Sequence, residues 1–296
     1  MKSGQPGLLV IAGPTSAGKT AVAIEVALEF DAIVLSADAM QVYRRLDVGT
    51  GKVTAEERSR VHHDGIDLVE PDEPFSAGDF VELADRVITS SPRVIVAGGT
   101  SLYLRSLLRG LARTPAVDPA LRTAIEARDD LHEELARVDP PLARRLHRSD
   151  RVRLVRGIEV YRQSGRRLSD LQAEHARAPD RVPHRALWLD RDDLPARIDA
   201  RVLQMVSSGW IDEVRAVLDA GFSRSLKPLQ SLGYRHVCEH LIDGLPLDEA
   251  VRRTQRDTRH FARKQRTWMR GLGYPRIHED RVAAAKRAAC LLWGSA

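Results

Sequence analysis

The chain has 296 residues, 43% of them hydrophobic, and no apolar run near the roughly 18 residues that a membrane span needs, which excludes a transmembrane protein and leaves a core large enough for one large or two smaller domains. Met1 to Gly7 lacks the apolar core of a signal peptide, and Cys238 and Cys290 stand apart without CxxC or Cys/His spacing, so a cytoplasmic location is expected and a disulfide framework or zinc site is not. The formal net charge of +5 points to an anionic partner.

In chain order, the apolar run Leu8 to Ala12 reads as a strand and Ala21 to Phe30 as a helix. Between them stands Gly13-Pro14-Thr15-Ser16-Ala17-Gly18-Lys19-Thr20, which matches all four fixed positions of a phosphate-binding P-loop. Gly13 and Gly18 let the backbone curl so that successive N–H groups point inward, and the helix N-terminus adds partial positive charge. Lys19 is placed to bridge two phosphates and the Thr20 hydroxyl to reach a Mg²⁺. The motif specifies polyphosphate binding. Whether the phosphate belongs to a nucleotide, and whether it is transferred, hydrolysed or expelled, it leaves open.

Ala32 to Ala37 is a second short strand, with Asp38 at its carboxyl end, where open α/β sheets place functional groups. Its carboxylate should lie near the bound phosphate, free to accept a proton or hold a metal's water. Ala39 to Lys52 shows no periodicity and reads as a functional loop. His62 and His63 precede Asp64 and Asp67, but a lone His pair in an acidic loop reads as structural. Ser76 and Asp79 form a capping-box variant that starts a helix over Ala77 to Thr89. The strand Arg93 to Ala97 then ends in Gly98-Gly99-Thr100, before a helix over Ser101 to Leu108, where a hydrolytic P-loop enzyme would commonly carry an acid.

From Asp118 the pattern turns to helix after helix: Pro119 to Asp129, Leu131 to Val138, Pro141 to His147 and Asp150 to Gln163, closed by Gly165. No strand follows until Arg185 to Asp190. The segment 118–184 is therefore expected to be an all-helical insertion in an α/β core formed by 1–117 and 185–296. Later helices are expected over Leu194 to Ser208, Ile211 to Ala220, from Gln230, over Leu247 to Arg270, and over Val282 to Trp293. Arg197 and Arg201 share one helical face, suited to clamping a diphosphate. Arginines crowd the stretches Arg144 to Arg167 and Arg252 to Arg270, the second interleaved with Phe261 and Trp268, which makes nucleic acid the leading polyanion.

Together these pieces resemble the tRNA dimethylallyltransferase family, also called tRNA isopentenyltransferases. The carriers are the P-loop, Ser36-Ala37-Asp38-Ala39-Met40-Gln41-Val42-Tyr43, Asp47-Val48-Gly49-Thr50, Ala97-Gly98-Gly99-Thr100-Ser101-Leu102-Tyr103, Ser231-Leu232-Gly233-Tyr234-Arg235 and Arg263-Lys264-Gln265-Arg266-Thr267-Trp268-Met269-Arg270. The resemblance implies a P-loop NTPase-like parallel sheet flanked by helices. It also implies transfer of a dimethylallyl group from dimethylallyl diphosphate to N6 of the adenosine 3′ of the anticodon, with Mg²⁺ and a tRNA anticodon stem-loop as partners. By the family's pattern Asp38, Thr15 and Arg201 are catalytic, and Gly13 to Thr20 bind the diphosphate. Asp38, Ala39, Met40, Gln41, Thr100, Arg122, Arg153, Arg156, Gly233, Tyr234, Arg235, Lys264, Gln265, Trp268 and Arg270 contact the RNA. A monomer is expected. Ala39 departs from the family's frequent Ser, and Ser16-Ala17 exchanges the usual order of small residues. A P-loop kinase is the competing reading. A switch GTPase or an RNA-binding module without chemistry is a weaker reading still, since the guanine-reading Asn-Lys-x-Asp cannot exist in a chain without asparagine.

Overall fold

The structure is a computed structural model that describes residues 7–295; the stretch read for the absence of a signal peptide lies almost wholly outside them. It divides into two compact units, residues 1–108 with 182–296, and residues 109–181.

The first unit begins with β1 (Leu8–Ala12), α1 (Lys19–Phe30), β2 (Ile33–Ala37), α2 (Ala55–Arg60), β3 (His63–Asp64), α3 (Ala77–Ser90), β4 (Val94–Gly98) and α4 (Ser101–Arg109). The second contains α5 (Pro119–Glu126), α6 (Leu131–Val138), α7 (Pro140–Ala143), α8 (Arg151–Ser164) and α9 (Leu168–Ala176). The first unit resumes with β5 (His184–Leu189), α10 (Leu194–Ser207), α11 (Trp210–Asp219), α12 (Tyr234–Asp243), α13 (Leu247–Arg270), β6 (Arg276–Ile277) and α14 (Arg281–Trp293).

The described strands form one parallel sheet in the order β3-β2-β4-β1-β5-β6. Its strands read as unbroken apolar runs because both faces are covered. Alternate residues of β1 supply the two sides. Leu8 and Val10 pack with Phe80, Leu104 and Leu107 of α3 and α4, while Leu9 and Ile11 pack with Val22, Val26 and Phe30 of α1 and Ala285 and Ala289 of α14. A third cluster joins Val42, Tyr43 and Leu46 to Val202, Trp210, Val214 and Tyr234 of α10 to α12. Loop 39–52 is thus anchored by its own apolar residues. The capping box at Ser76 and Asp79 is formed, with Ser76 N bonded to Asp79 Oδ2 at 2.7 Å.

The helical unit differs from the expected 118–184 at both ends. Residues 114–116 belong to it because Arg156 Nη2 donates to Thr114 Oγ1 and Pro115 O at 2.8 Å and Gln163 to Ala116 O at 3.1 Å. Val182 packs in the sheet's core, and Pro183 O accepts from Leu8 N at 2.9 Å, so both fall to the first unit. Within the helical unit the expected helix over Pro141 to His147 is a single turn, Pro140–Ala143, started by the Asp139 carboxylate on Leu142 N at 3.1 Å. Asp139 is fully buried and also accepts from Ser169 N and Oγ, which ties α9, a helix not expected from the sequence, to α7.

Candidate active site

The phosphate loop lies between β1 and α1, at the carboxyl end of the sheet. Ser16 and Gly18 take positive φ (63° and 88°), which turns the amides inward. Gly13 is confined from outside, since a Cβ there would stand 2.7 Å from Leu189 O. Two side chains brace the loop from distant helices. Gln265 of α13 accepts from Thr15 N at 3.0 Å and donates to Gly99 O at 3.0 Å, and Arg197 of α10 donates to Ser16 O at 3.2 Å.

A cavity of about 550 Å³ opens beside this loop, entirely within the first unit. Thr15, Ser16, Lys19 and Thr20 line it, as do Asp38 to Gln41 from β2's carboxyl end, Thr100 after β4, Arg201 of α10, and Lys264, Gln265 and Trp268 of α13. Tyr234 also lines it. Gly13, Pro14, Ala17 and Gly18 form the loop behind, while Gly233, Arg235 and Arg270 are outside the lining.

Lys19, Asp38 and Arg201 make the electrostatic centre. Lys19 Nζ donates to Pro14 O at 2.9 Å, and burial drives its pKa down to about 8, with the Asp38 carboxylate opposing and Arg201 adding to the fall. Burial also lowers Arg201, again opposed by Asp38. Asp38 Oδ1 accepts from Met40 N at 2.8 Å in an Asx-type turn, which fixes the carboxylate within the field it shares with the two cations. The exposed Thr20 hydroxyl and the Asp38 carboxylate are hard oxygen donors beside a phosphate loop, a set that fits Mg²⁺.

Several residues expected to contact RNA carry internal tasks. Gln265 is buried with both ends of its carboxamide on backbone, and Thr100 Oγ1 accepts from Ala39 N at 3.0 Å. Gln41 bonds Ser36 Oγ and the carbonyls of Thr50 and Gly51. Buried Tyr234 donates to Glu213 at 2.7 Å, and Arg235 pairs with Asp257. In the helical unit Arg122 and Arg156 both bond the fully buried Glu159, and Arg153 pairs with Asp150. Burial alone would raise Glu159; the bonds from Arg156 and Arg122 outweigh it and hold the carboxyl below its usual range.

The second arginine run is less free than its sequence indicates, because acids of the same helix and two from elsewhere in the fold, Asp190 and Asp199, reach it. Arg252, Arg253, Arg256, Arg259 and Arg266 pair with Asp248, Glu249, Asp257, Asp199 and Asp190. Arg263, Lys264 and Arg270 have no ion pair among the described residues. Arg197, expected to clamp the diphosphate with Arg201, braces the loop through Ser16 O, and the residue the sequence reading missed is Glu213, whose carboxylate takes three consecutive backbone amides of the Asp47 loop. Only the acidic first turn of α11 hinted at the latter.

Residues 41–272 match the family model described as IPP transferase, and residues 6–70 match one described as isopentenyl transferase. The chain is 45% identical over 276 residues to a tRNA dimethylallyltransferase 1 of Syntrophotalea carbinolica, covering 89% of this chain and 88% of the relative. It is 43% identical over 277 residues to the tRNA dimethylallyltransferase of Geobacter sulfurreducens, covering 89% and 88%. Among solved structures it is similar to the tRNA isopentenylpyrophosphate transferase of Bacillus halodurans, with a TM-score of 0.69, 30% identity and 95% of each chain covered. A eukaryotic dimethylallyltransferase acting on tRNA superposes with a TM-score of 0.78 at 25% identity, over 89% of this chain and 69% of that one.

Proposed function

The chain belongs to the IPP transferase family, whose relatives here are tRNA dimethylallyltransferases, and we propose that its cleft moves a dimethylallyl group from dimethylallyl diphosphate to N6 of the adenosine 3′ of a tRNA anticodon. The observation that carries this reading is the carboxylate of Asp38 standing in one cavity with Lys19 and Arg201, at the mouth of a phosphate loop.

Adenine N6 is a weak nucleophile because its lone pair is delocalised into the ring. It needs a good electrophile and a base. As the new N6–C bond forms and the C–O bond to the diphosphate breaks, negative charge grows on the leaving group. Lys19, the amides of Ser16, Gly18, Lys19 and Thr20 in the loop, and Arg201 stabilise that charge. Asp38 takes the N6 proton, and its turn on Met40 N aims it. Thr15, which lines the same cavity with its amide fixed by Gln265, is the proposed companion of Asp38 around the reacting groups. A Mg²⁺ held through the Thr20 hydroxyl would neutralise part of the diphosphate charge. Reaching such a cavity requires the adenine to leave its stack, at a cost of a few kcal/mol that a single-stranded loop reduces. Ala39, Met40, Lys264 and Trp268 at the cavity wall are the proposed neighbours of the RNA, with Arg270 on the same helix and Arg153 in the helical unit.

The proposed transfer needs one copy of the chain. No described helix is long and apolar enough to cross a membrane. The competing kinase reading finds no counterpart among the relatives named above. Incubating the protein with Mg²⁺, labelled dimethylallyl diphosphate and an unmodified anticodon stem-loop tests the reading: label is expected in the RNA. Unlabelled RNA, together with phosphate transfer from ATP to a small acceptor, would overturn it.

A further inference from the structure

Glu213, in the first turn of α11, is not used by the transfer steps above. Its Oε2 accepts from Asp47 N and Val48 N at 2.6 Å, and its Oε1 from Gly49 N at 3.2 Å and from the Tyr234 hydroxyl at 2.7 Å. Three consecutive amides converging on one carboxylate form an anion nest whose occupant is built into the fold. The fit leaves no slack. A Cβ on Gly49 would stand 2.0 Å from Trp210 Nε1 and 2.6 Å from Tyr234 Cζ.

Two residues further on, Gly51 (φ +59°) supports Arg201: a Cβ on Gly51 would stand 1.9 Å from Arg201 Nη2, so the guanidinium rests on bare backbone. Among the described residues Arg201 has no hydrogen bond or ion pair. What holds its head group is this backbone ledge and the field of Asp38. Gln41 secures the ledge from below through Thr50 O and Gly51 O, and buried Lys52 pins the next residue through Tyr43 O, Asp47 and Asp67. Glu213, from α11, grips the three residues just before it, and Gly51 N in turn donates to Val48 O at 3.0 Å.

We propose that Glu213 is a positioning residue for prenyl transfer: by gripping the amides of Asp47, Val48 and Gly49 it fixes the Thr50–Gly51 ledge that holds the Arg201 guanidinium at the diphosphate. This rests on the reading of the cleft given above, with Arg201 on the leaving group. The task requires a carboxylate. Glutamine of the same shape keeps one acceptor oxygen but turns an NH₂ group toward the donors on the other side, so either Gly49 N or the Asp47 and Val48 pair loses its acceptor.

The test is a double-mutant cycle of Glu213→Gln and Arg201→Ala, reading kcat, donor KM, affinity for inorganic diphosphate and affinity for the stem-loop, with thermal unfolding of each protein. Glu213→Gln is expected to lower kcat by about 10- to 100-fold and to weaken diphosphate binding, while stem-loop affinity stays within about threefold. In the Arg201→Ala background it is expected to cost nothing further, because residues acting through one group are not additive. Full multiplication of the two losses, or wild-type kcat in Glu213→Gln, overturns the proposal. Wild-type kcat in Arg201→Ala would instead overturn the role given to Arg201 and the proposal with it. If Glu213→Gln does not fold, Tyr234→Phe removes one of the four bonds and leaves the amides in place. The same cycle then expects a loss of a few-fold that vanishes with Arg201→Ala, and a loss that persists there overturns the proposal.

Discussion

Gln265 Oε1 accepts the backbone N–H of Thr15 at 3.0 Å across 250 residues of sequence, and its amide nitrogen holds Gly99 O, so one side chain of α13 ties the phosphate loop to the end of β4. A Cβ on Gly99 would meet that nitrogen at 2.5 Å, which is why the turn after β4 carries glycine. Gln265→Ala removes both bonds and is expected to cost about 1–3 kcal/mol of stability and to weaken prenyl diphosphate binding. Gln265→Glu can still accept from Thr15 but sets a carboxylate against Gly99 O beside the diphosphate. It should bind the donor more weakly than Gln265→Ala. Titration with an unreactive prenyl diphosphate checks the order, and equal or tighter binding by the glutamate variant would contradict it.

Lys19 gives a pH dependence. Its ordinary value of 10.5 is lowered to about 8 by burial. A bound diphosphate favours the charged amine, so its arrival raises the pKa and takes up a proton at pH above 8. Affinity for the unreactive donor is expected to be level through neutral pH and to fall by up to about tenfold per unit above pH 8. Lys19→Arg should flatten the profile above pH 8. Calorimetry in buffers of different ionisation heat measures the proton uptake directly, and a wild-type profile that stays level to pH 10 would contradict the assignment.

Glycines near the cleft serve two different needs. At Gly49 the space is taken by Trp210, and Gly49→Ala is expected to destabilise by about 2–3 kcal/mol through overpacking. At Gly18 nothing lies within 4 Å of a Cβ, but φ is +88°, so Gly18→Ala should cost only about 1 kcal/mol through backbone strain. Thermal unfolding of the two variants would show the larger loss at Gly49; the reverse order would contradict the packing described.

Much of this was legible because it is local. The strand, loop and helix from Leu8 to Phe30 declare themselves by spacing, Asp38 follows from its place at a strand end, and the Ser76–Asp79 box is a four-residue signal. What the sequence could not show is long-range commitment. Glu213 lies on a helix with an ordinary polar face, and nothing in it announces partners 164 to 166 residues away. Gln265 and Tyr234 were read from family motifs as RNA contacts, yet their polar atoms are spent on Thr15, Gly99 and Glu213. The two-residue strands β3 and β6 are too short to carry a pattern.

Pairing also decides which cations respond to RNA. Lys264 has no ion pair among the described residues and lines the cavity, whereas Arg252 is held by Asp248 and Glu249. Lys264→Ala is expected to reduce the salt dependence of stem-loop binding by about one unit of slope, and Arg252→Ala to leave it unchanged. Binding measured across salt concentrations separates them, and equal slopes in the two variants would contradict the distinction.

The central claim is that Asp38 removes the N6 proton, and single-turnover transfer by Asp38→Asn tests it most directly. The asparagine keeps the bond to Met40 N and the shape of the cavity but cannot take a proton. The account predicts donor and stem-loop affinities within a few-fold of wild type and transfer slowed by at least about 100-fold. Transfer at the wild-type rate would mean that the carboxylate is not the base and that the chemistry assigned to this cleft is wrong.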